Sequence, residues 1–167
     1  MKPQTPLRMS FWGVGPSVQV PVGVYAALTG VATYLWPTWF AIDWPPYPAL
    51  LAAGAVLLAL GLVFQAFAGR ALLRAYREDR LLTTGVYALC RNPLYANIIV
   101  TLLPAAALVC RSWLMLTAVP LAYVLIRLRI GHEERYLENR FGQEYADYRR
   151  RTGLLLPKWP RRHDPKH

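Results

Sequence analysis

Four stretches of this chain contain no Asp, Glu, Lys or Arg: residues 18–42, 48–69, 92–110 and 112–126. At ~1.5 Å per helical residue, roughly 20 residues cross a ~30 Å hydrocarbon layer, so the first three are long enough alone. The fourth gains length from Arg127 and Arg129, whose stems can lie along lipid while their charges reach the interface, giving a span over 112–130. The pattern predicts an all-α integral membrane bundle of four transmembrane helices forming a single membrane domain over 1–167. Composition agrees: 55% of the 167 residues are apolar and only 17% charged, too apolar for an ordinary soluble domain. A net charge of +10 would suit nucleic acid if the basic residues formed one face. They lie between the apolar stretches instead, which argues against a nucleic-acid partner.

Their distribution orients the chain. Two basic residues precede the first stretch (Lys2, Arg8), five lie between the second and third, and eleven follow from Arg127 onward. On the opposite side stands Arg111 alone. Because Lys and Arg near a span resist translocation, both termini are expected in the cytoplasm. Trp36, Trp39, Trp44 and Tyr47 around the first external turn, and Trp113 at the fourth stretch, fit an interfacial aromatic belt. The first stretch is too long for a signal peptide and lacks a small-residue cleavage site, so the N terminus is expected in the mature protein. The basic tail around Trp159, Arg161 and Arg162 suits anionic headgroups, making membrane lipids expected partners.

Proline-rich 43–48 closes spans one and two into a tight hairpin. Residues 70–80 read as a helical extension beyond span two, ending in a Thr83-Thr84-Gly85 turn. Asn92-Pro93 opens span three. Pro104 and Pro120 fall inside spans three and four, where kinks serve either a cavity or packing. The last helix is expected to continue to Arg140 or beyond, with Phe141-Gly142 as a break. Cys90 and Cys110 flank one span, roughly 30 Å apart, and cannot pair within one chain. Neither has a second Cys or a His at metal-ligand spacing, so no metal site is expected.

Chemistry concentrates in two segments on one side of the membrane, 81–95 and 127–148. They combine a glycine turn, Tyr87 and Tyr95 as flat walls, an Arg91-Asn92-Pro93 corner, and the acids Glu133 and Glu134. Such a set suits a zwitterionic, adenine-bearing ligand: carboxylate for an ammonium or sulfonium, arginine for a carboxylate, aromatic faces for a purine. Spacing alone favours a plainer account, in which Arg127, Arg129, Glu133, Glu134 and Arg135 form an interfacial salt-bridge network. Arg129 and Glu133 stand at i and i+4, able to pair. The apolar periodicity of Ile130, Leu137, Phe141, Tyr145 and Tyr148 puts Glu134 on the inward stripe.

The run from Leu82 to Tyr95, Leu-Thr-Thr-Gly-Val-Tyr-Ala-Leu-Cys-Arg-Asn-Pro-Leu-Tyr, is followed by Glu133-Glu134-Arg135-Tyr136-Leu137 and then Phe141-Gly142-Gln143-Glu144-Tyr145-Ala146-Asp147-Tyr148. These ordered motifs closely resemble the isoprenylcysteine carboxyl methyltransferase family, which shares a C-terminal core with phospholipid N-methyltransferases. The resemblance covers 81–157 and implies a cofactor-binding core there. It implies an S-adenosylmethionine-dependent methyltransferase acting on a lipophilic small molecule or lipid-modified substrate, in the bacterial inner membrane. By the same resemblance the cofactor is held by Leu81, Leu82, Tyr87, Asn92, Pro93, Leu94, Tyr95 and Glu133, and Arg129 faces the reacting substrate. Resemblance and periodicity thus point to different acids; Glu133 is preferred for the cofactor, with Glu134 as a support able to bond across the helix pair.

One position departs from the family pattern, Asn92 standing where histidine is usual. An amide can donate and accept hydrogen bonds but has no protonation role. The acceptor remains open between a prenylcysteine-like carboxylate, a phospholipid amine and another lipophilic group. Two other classes compete: a non-catalytic membrane scaffold, and a membrane reductase using a nicotinamide cofactor, against which stands the absence of a Gly-rich dinucleotide fingerprint.

Overall fold

The computed structural model describes residues 15–158; Lys2, Arg8 and the basic tail around Trp159 lie outside the described residues. Helix α1 spans Gly15–Leu35 and α3 spans Tyr47–Arg77, with a one-turn α2 at Pro37–Phe40 between them. The third charge-free stretch is built in pieces: α4 Pro93–Asn97, a π turn Ile98–Leu102, and α5 Leu103–Val109. A short 3-10 turn, Leu114–Thr117, leads into α6, Ala118–Arg151. Three helical segments, Ser17–Leu35, Tyr47–Arg77 and Leu114–Arg151, are long and apolar enough to cross a membrane, and Pro93–Val109 forms a shorter apolar helix.

The first expected span, 18–42, is not one helix. Pro37 has no N–H to continue the ladder, and Trp36 before it is driven out of helical geometry (φ −129°, ψ 62°). In the third stretch Pro104 likewise denies Val100 its i+4 donor. The chain widens just before it, Leu103 N–H bonding to Ile98 O five residues back. The last helix runs past Arg140 and breaks its geometry at Gly142 (φ 51°, ψ −121°), a conformation open to glycine.

Small residues let the helices approach. At Gly54 of α3 an added Cβ would sit 2.9 Å from the Val109 backbone nitrogen and 3.0 Å from Ala105 O, so α3 and α5 meet there backbone to backbone. Val18 and Val22 of α1 pack with Ala118, Ala122, Ile126 and Ile130 of α6 in one buried cluster. Two hydroxyl pairs join α1 to the turn that leads into α6: Thr33 Oγ1 with Ser112 Oγ at 2.6 Å, and Tyr25 Oη with Thr117 Oγ1 at 2.8 Å. Asn97 Nδ2 donates to Gly61 O and Gln65 Oε1, both at 2.9 Å, tying α4 to α3. Such bonds matter in lipid because no water offers an alternative partner.

The two tight-turn segments brace each other at one end. Trp113 Nε1 donates to Trp39 O (2.9 Å), and Arg111 donates to Ile42 O (2.7 Å) and Asp43 (2.8 Å). At the other end α3 and α6 run on past their apolar portions, and the link between α3 and α4 folds between them. Arg91 N–H and Asn92 N–H donate to Gly153 O (2.9 Å) and Leu154 O (3.1 Å), which pins the link against the chain following α6.

Candidate functional site

A cavity of about 120 Å³ lies at this second end, walled by the last turns of α3, the link 79–92 and α6. Its apolar surfaces come from Leu72, Ala75, Leu81, Leu82, Ile130, Leu137 and Phe141, and its aromatic ones from Tyr76, Tyr87, Tyr136, Tyr145 and Tyr148. Charged side chains are Asp79, Arg80, Arg91, Glu133, Glu134 and Arg140. The volume is below the roughly 300–1,000 Å³ usual for small-molecule sites, so a nucleoside-sized ligand requires the walls to part.

The back wall is locked by hydrogen bonds that are largely withdrawn from solvent. Arg91 donates through Nε (3.1 Å) and Nη2 (2.7 Å) to Glu134 Oε1, and through Nη1 to Arg149 O (3.1 Å) and Thr152 O (2.5 Å). The side chains of the Arg91–Glu134 pair are only 10% and 13% exposed. Tyr148 Oη donates to Tyr87 O at 2.6 Å, and Tyr87 Oη to Ala68 O at 3.4 Å. Burial raises the phenol pKa of Tyr87 and Tyr145, and that of Tyr148 to about 12, so these rings stay neutral donors at physiological pH. Burial also pushes the Cys90 thiol up, which leaves it a poor nucleophile.

Of the expected site residues, Leu81, Leu82, Tyr87, Asn92, Glu133 and Glu134 line the cavity together. Pro93, Leu94 and Tyr95 do not: Pro93 and Tyr95 are buried in α4, and Leu94 packs beside Leu82 and Tyr87. Tyr95 still reaches the site through its hydroxyl, which donates to Glu133 Oε1 at 3.1 Å. Arg129 is exposed on α6, outside the cavity lining, and pairs with no acid among the described residues. Asn92 donates from Nδ2 to Leu154 O at 3.4 Å, so the amide takes part in holding the link. The sequence motifs leave Asp79 and Arg140 out of the site. These two form an ion pair from the end of α3 to α6 (Arg140 Nε to Asp79 Oδ1, 2.8 Å), and Arg140 Nη1 also donates to Tyr136 Oη at 3.1 Å. No local spacing signals a contact between residues 61 positions apart.

Fold and cavity define a helical membrane protein with a cavity at one end of the bundle, between the extended ends of two long apolar helices. The chain belongs to the isoprenylcysteine carboxyl methyltransferase (ICMT) family, which it matches over residues 49–139. It is 31% identical over 91 residues to protein-S-isoprenylcysteine O-methyltransferase B of Arabidopsis thaliana, covering 52% of this chain and 45% of that one. A probable protein-S-isoprenylcysteine O-methyltransferase of Oryza sativa subsp. indica is 32% identical over 116 residues, 62% of this chain and 59% of the relative. The nickel-cobalt-cadmium resistance protein NccN of Alcaligenes xylosoxydans xylosoxydans is 33% identical over 110 residues, 62% and 51% of the two chains. The chain thus spans about half the length of the curated relatives it matches. The matched segment contains α3 from its first turn, the whole link, and α6 as far as Asn139.

Proposed function

We propose that the protein is an S-adenosylmethionine-dependent methyltransferase acting on a lipophilic acceptor, with its cofactor core over 81–157. The observation that carries this reading is the cavity itself, where Glu133 and Glu134 face apolar and aromatic walls at the end of a membrane bundle. The donor set fits the cofactor: flat apolar surfaces suit adenine, and a carboxylate suits a cationic amino acid end. Leu81, Leu82, Tyr87, Asn92 and Glu133 would hold it. Glu134 is committed to Arg91 and Arg149, which supports Glu133 as the ligand-facing acid. Pro93, Leu94 and Tyr95 act from behind the wall, Tyr95 by orienting Glu133.

S-adenosylmethionine, when bound, supplies a methyl group on a sulfonium sulfur. The chain contributes alignment, a counter-charge and the exclusion of water by its apolar walls. The buried tyrosines remain protonated and serve as walls and donors rather than bases. A carboxylate acceptor needs no base, whereas an amine acceptor must first lose its proton. Arg129, one turn before Glu133 on α6, is assigned the orientation of an anionic group on the acceptor.

The same reading makes the chain a single domain of four spans, the third being the 17-residue Pro93–Val109, with both termini in the cytoplasm of a bacterial inner-membrane protein. Cysteine labelling from outside should reach a residue placed at Asp43 and miss one at Arg150; the reverse pattern overturns this topology. For the activity, calorimetric titration of the detergent-purified chain should show saturable binding of S-adenosylmethionine and S-adenosylhomocysteine. Glu133→Gln should weaken it at least about tenfold, the scale of one charge-assisted contact. Binding of a nicotinamide cofactor in their place would support the reductase class, and binding of none by folded protein would support a scaffold.

A further inference from the structure

Three arginines line the cavity among the described residues, and their present partners separate their roles. Arg91 has its Nε, Nη1 and Nη2 donors committed to Glu134, Arg149 O and Thr152 O in a nearly buried arrangement. Turning it toward a ligand would leave the nearly buried Glu134 with only the longer contact to Arg149 at 3.7 Å, so it is a fixed part of the wall. Arg80 pairs with Glu78 two residues away, inside one turn, and opening that pair would not move one wall relative to another. Arg140 differs from both. Its partner, Asp79, stands on the opposite wall, and their side chains are 44% and 65% exposed, so water already competes with their contact.

Asp79 also sits where its residue type is unexpected. Arg80 N–H bonds to Ala75 O at 3.0 Å and Asp79 N–H to Tyr76 O at 3.3 Å, the paired bonds that close a helix through a left-handed residue. That residue is Asp79 (φ 52°), at a position glycine usually fills. The strained backbone places a carboxylate opposite Arg140 at the rim of a cavity too small for a nucleoside-sized ligand as it stands.

We infer that Arg140 is a specificity-determining residue that exchanges Asp79 for the carboxylate of the ligand's amino acid end, while Asp79 is released to share its ammonium with Glu133. The rim pair is a placeholder for a zwitterion: one positive and one negative group, on two walls, each satisfied by the other until a ligand carrying both charges parts them. The inference rests on the proposed cofactor class and assigns a role to a residue just beyond the family match.

The test compares S-adenosylhomocysteine with 5′-methylthioadenosine, which keeps the adenosine thioether and lacks the amino acid end, by calorimetry on the detergent-purified full chain. The parent protein should prefer S-adenosylhomocysteine by at least about tenfold, and rising salt should narrow that preference because the rim is exposed. Arg140→Gln should lower that preference at least about threefold by weakening only S-adenosylhomocysteine, the ammonium contacts keeping the remainder, and Arg140→Lys should retain more of it. An unchanged ratio in Arg140→Gln, or equal weakening of both ligands, overturns the inference while leaving the cofactor class standing. Should the parent bind neither ligand, the cofactor class itself fails. The salt dependence of the parent's preference tests the exchange without any variant, since a salt-independent preference contradicts an exposed rim contact.

Discussion

The cavity holds two Arg–carboxylate pairs of the same chemistry in opposite settings. At the back wall, Arg91 and Glu134 are almost out of water, and the Nε, Nη1 and Nη2 atoms of the guanidinium are all engaged. At the rim, Arg140 and Asp79 are about half exposed and join two walls that can separate. The contrast shows that burial, rather than the identity of the groups, decides whether an ion pair acts as a fastener or as an exchangeable contact. A buried pair cannot lose one member without stranding the other, whereas an exposed pair hands each member back to water.

The comparison can be broken most directly at the back wall. Glu134→Gln leaves the Arg91 guanidinium without its counter-charge and should cost roughly 3–5 kcal/mol, read as a large fall in the thermal midpoint of detergent-purified protein. A midpoint close to the parent's would show that the pair is no fastener. A smaller effect is expected from Tyr148→Phe, which strands the Tyr87 carbonyl for about 1–2 kcal/mol. The same variant carries a pH signature. The Tyr148 phenol is raised from its ordinary 10.0 to about 12 in the folded chain, so its contribution is full below pH 10 and is lost as pH rises through 12. A pH scan of the thermal midpoint should therefore fall less steeply over that window in Tyr148→Phe than in the parent. The smallest effect belongs to the rim: Asp79→Gly relieves a left-handed backbone and removes only an exposed contact, so the midpoint should hold or rise. A marked fall there would make the rim pair a structural element and erase the contrast.

Much of the site is legible in the sequence. Leu81, Leu82, Tyr87 and Asn92 carry motif positions, and the helical stripe through Ile130, Leu137 and Phe141 puts one face of α6 inward, where those residues line the cavity with Glu134. The motifs and the stripe favour different acids, and both acids line the cavity. Glu133 meets Tyr95 and Glu134 meets Arg91, contacts between segments that no spacing along one helix reveals. Tyr95 reads as a wall in the sequence but is buried in α4 with its hydroxyl turned to Glu133, because the direction a ring takes depends on what packs against its helix. Arg129 stands at a spacing from Glu133 that allows the two to pair, yet it is exposed and without an acid among the described residues. Helical spacing permits a contact without requiring it.

Local composition by itself determined which segments are apolar enough to enter a membrane, where the Pro-rich turn interrupts them, and where Gly142 breaks the last helix. Each depends on residues within a few turns of one another, through hydropathy and backbone sterics. The tertiary structure alone decided that Arg91 would be sealed against Glu134, 43 positions away, and that Asp79 would face Arg140, 61 positions away. Those pairings and their exposure are set by how closely α3, the link and α6 approach. Contacts far along the chain help fix that approach, such as the backbone bonds from Arg91 and Asn92 to Gly153 and Leu154 that hold the link against the chain following α6.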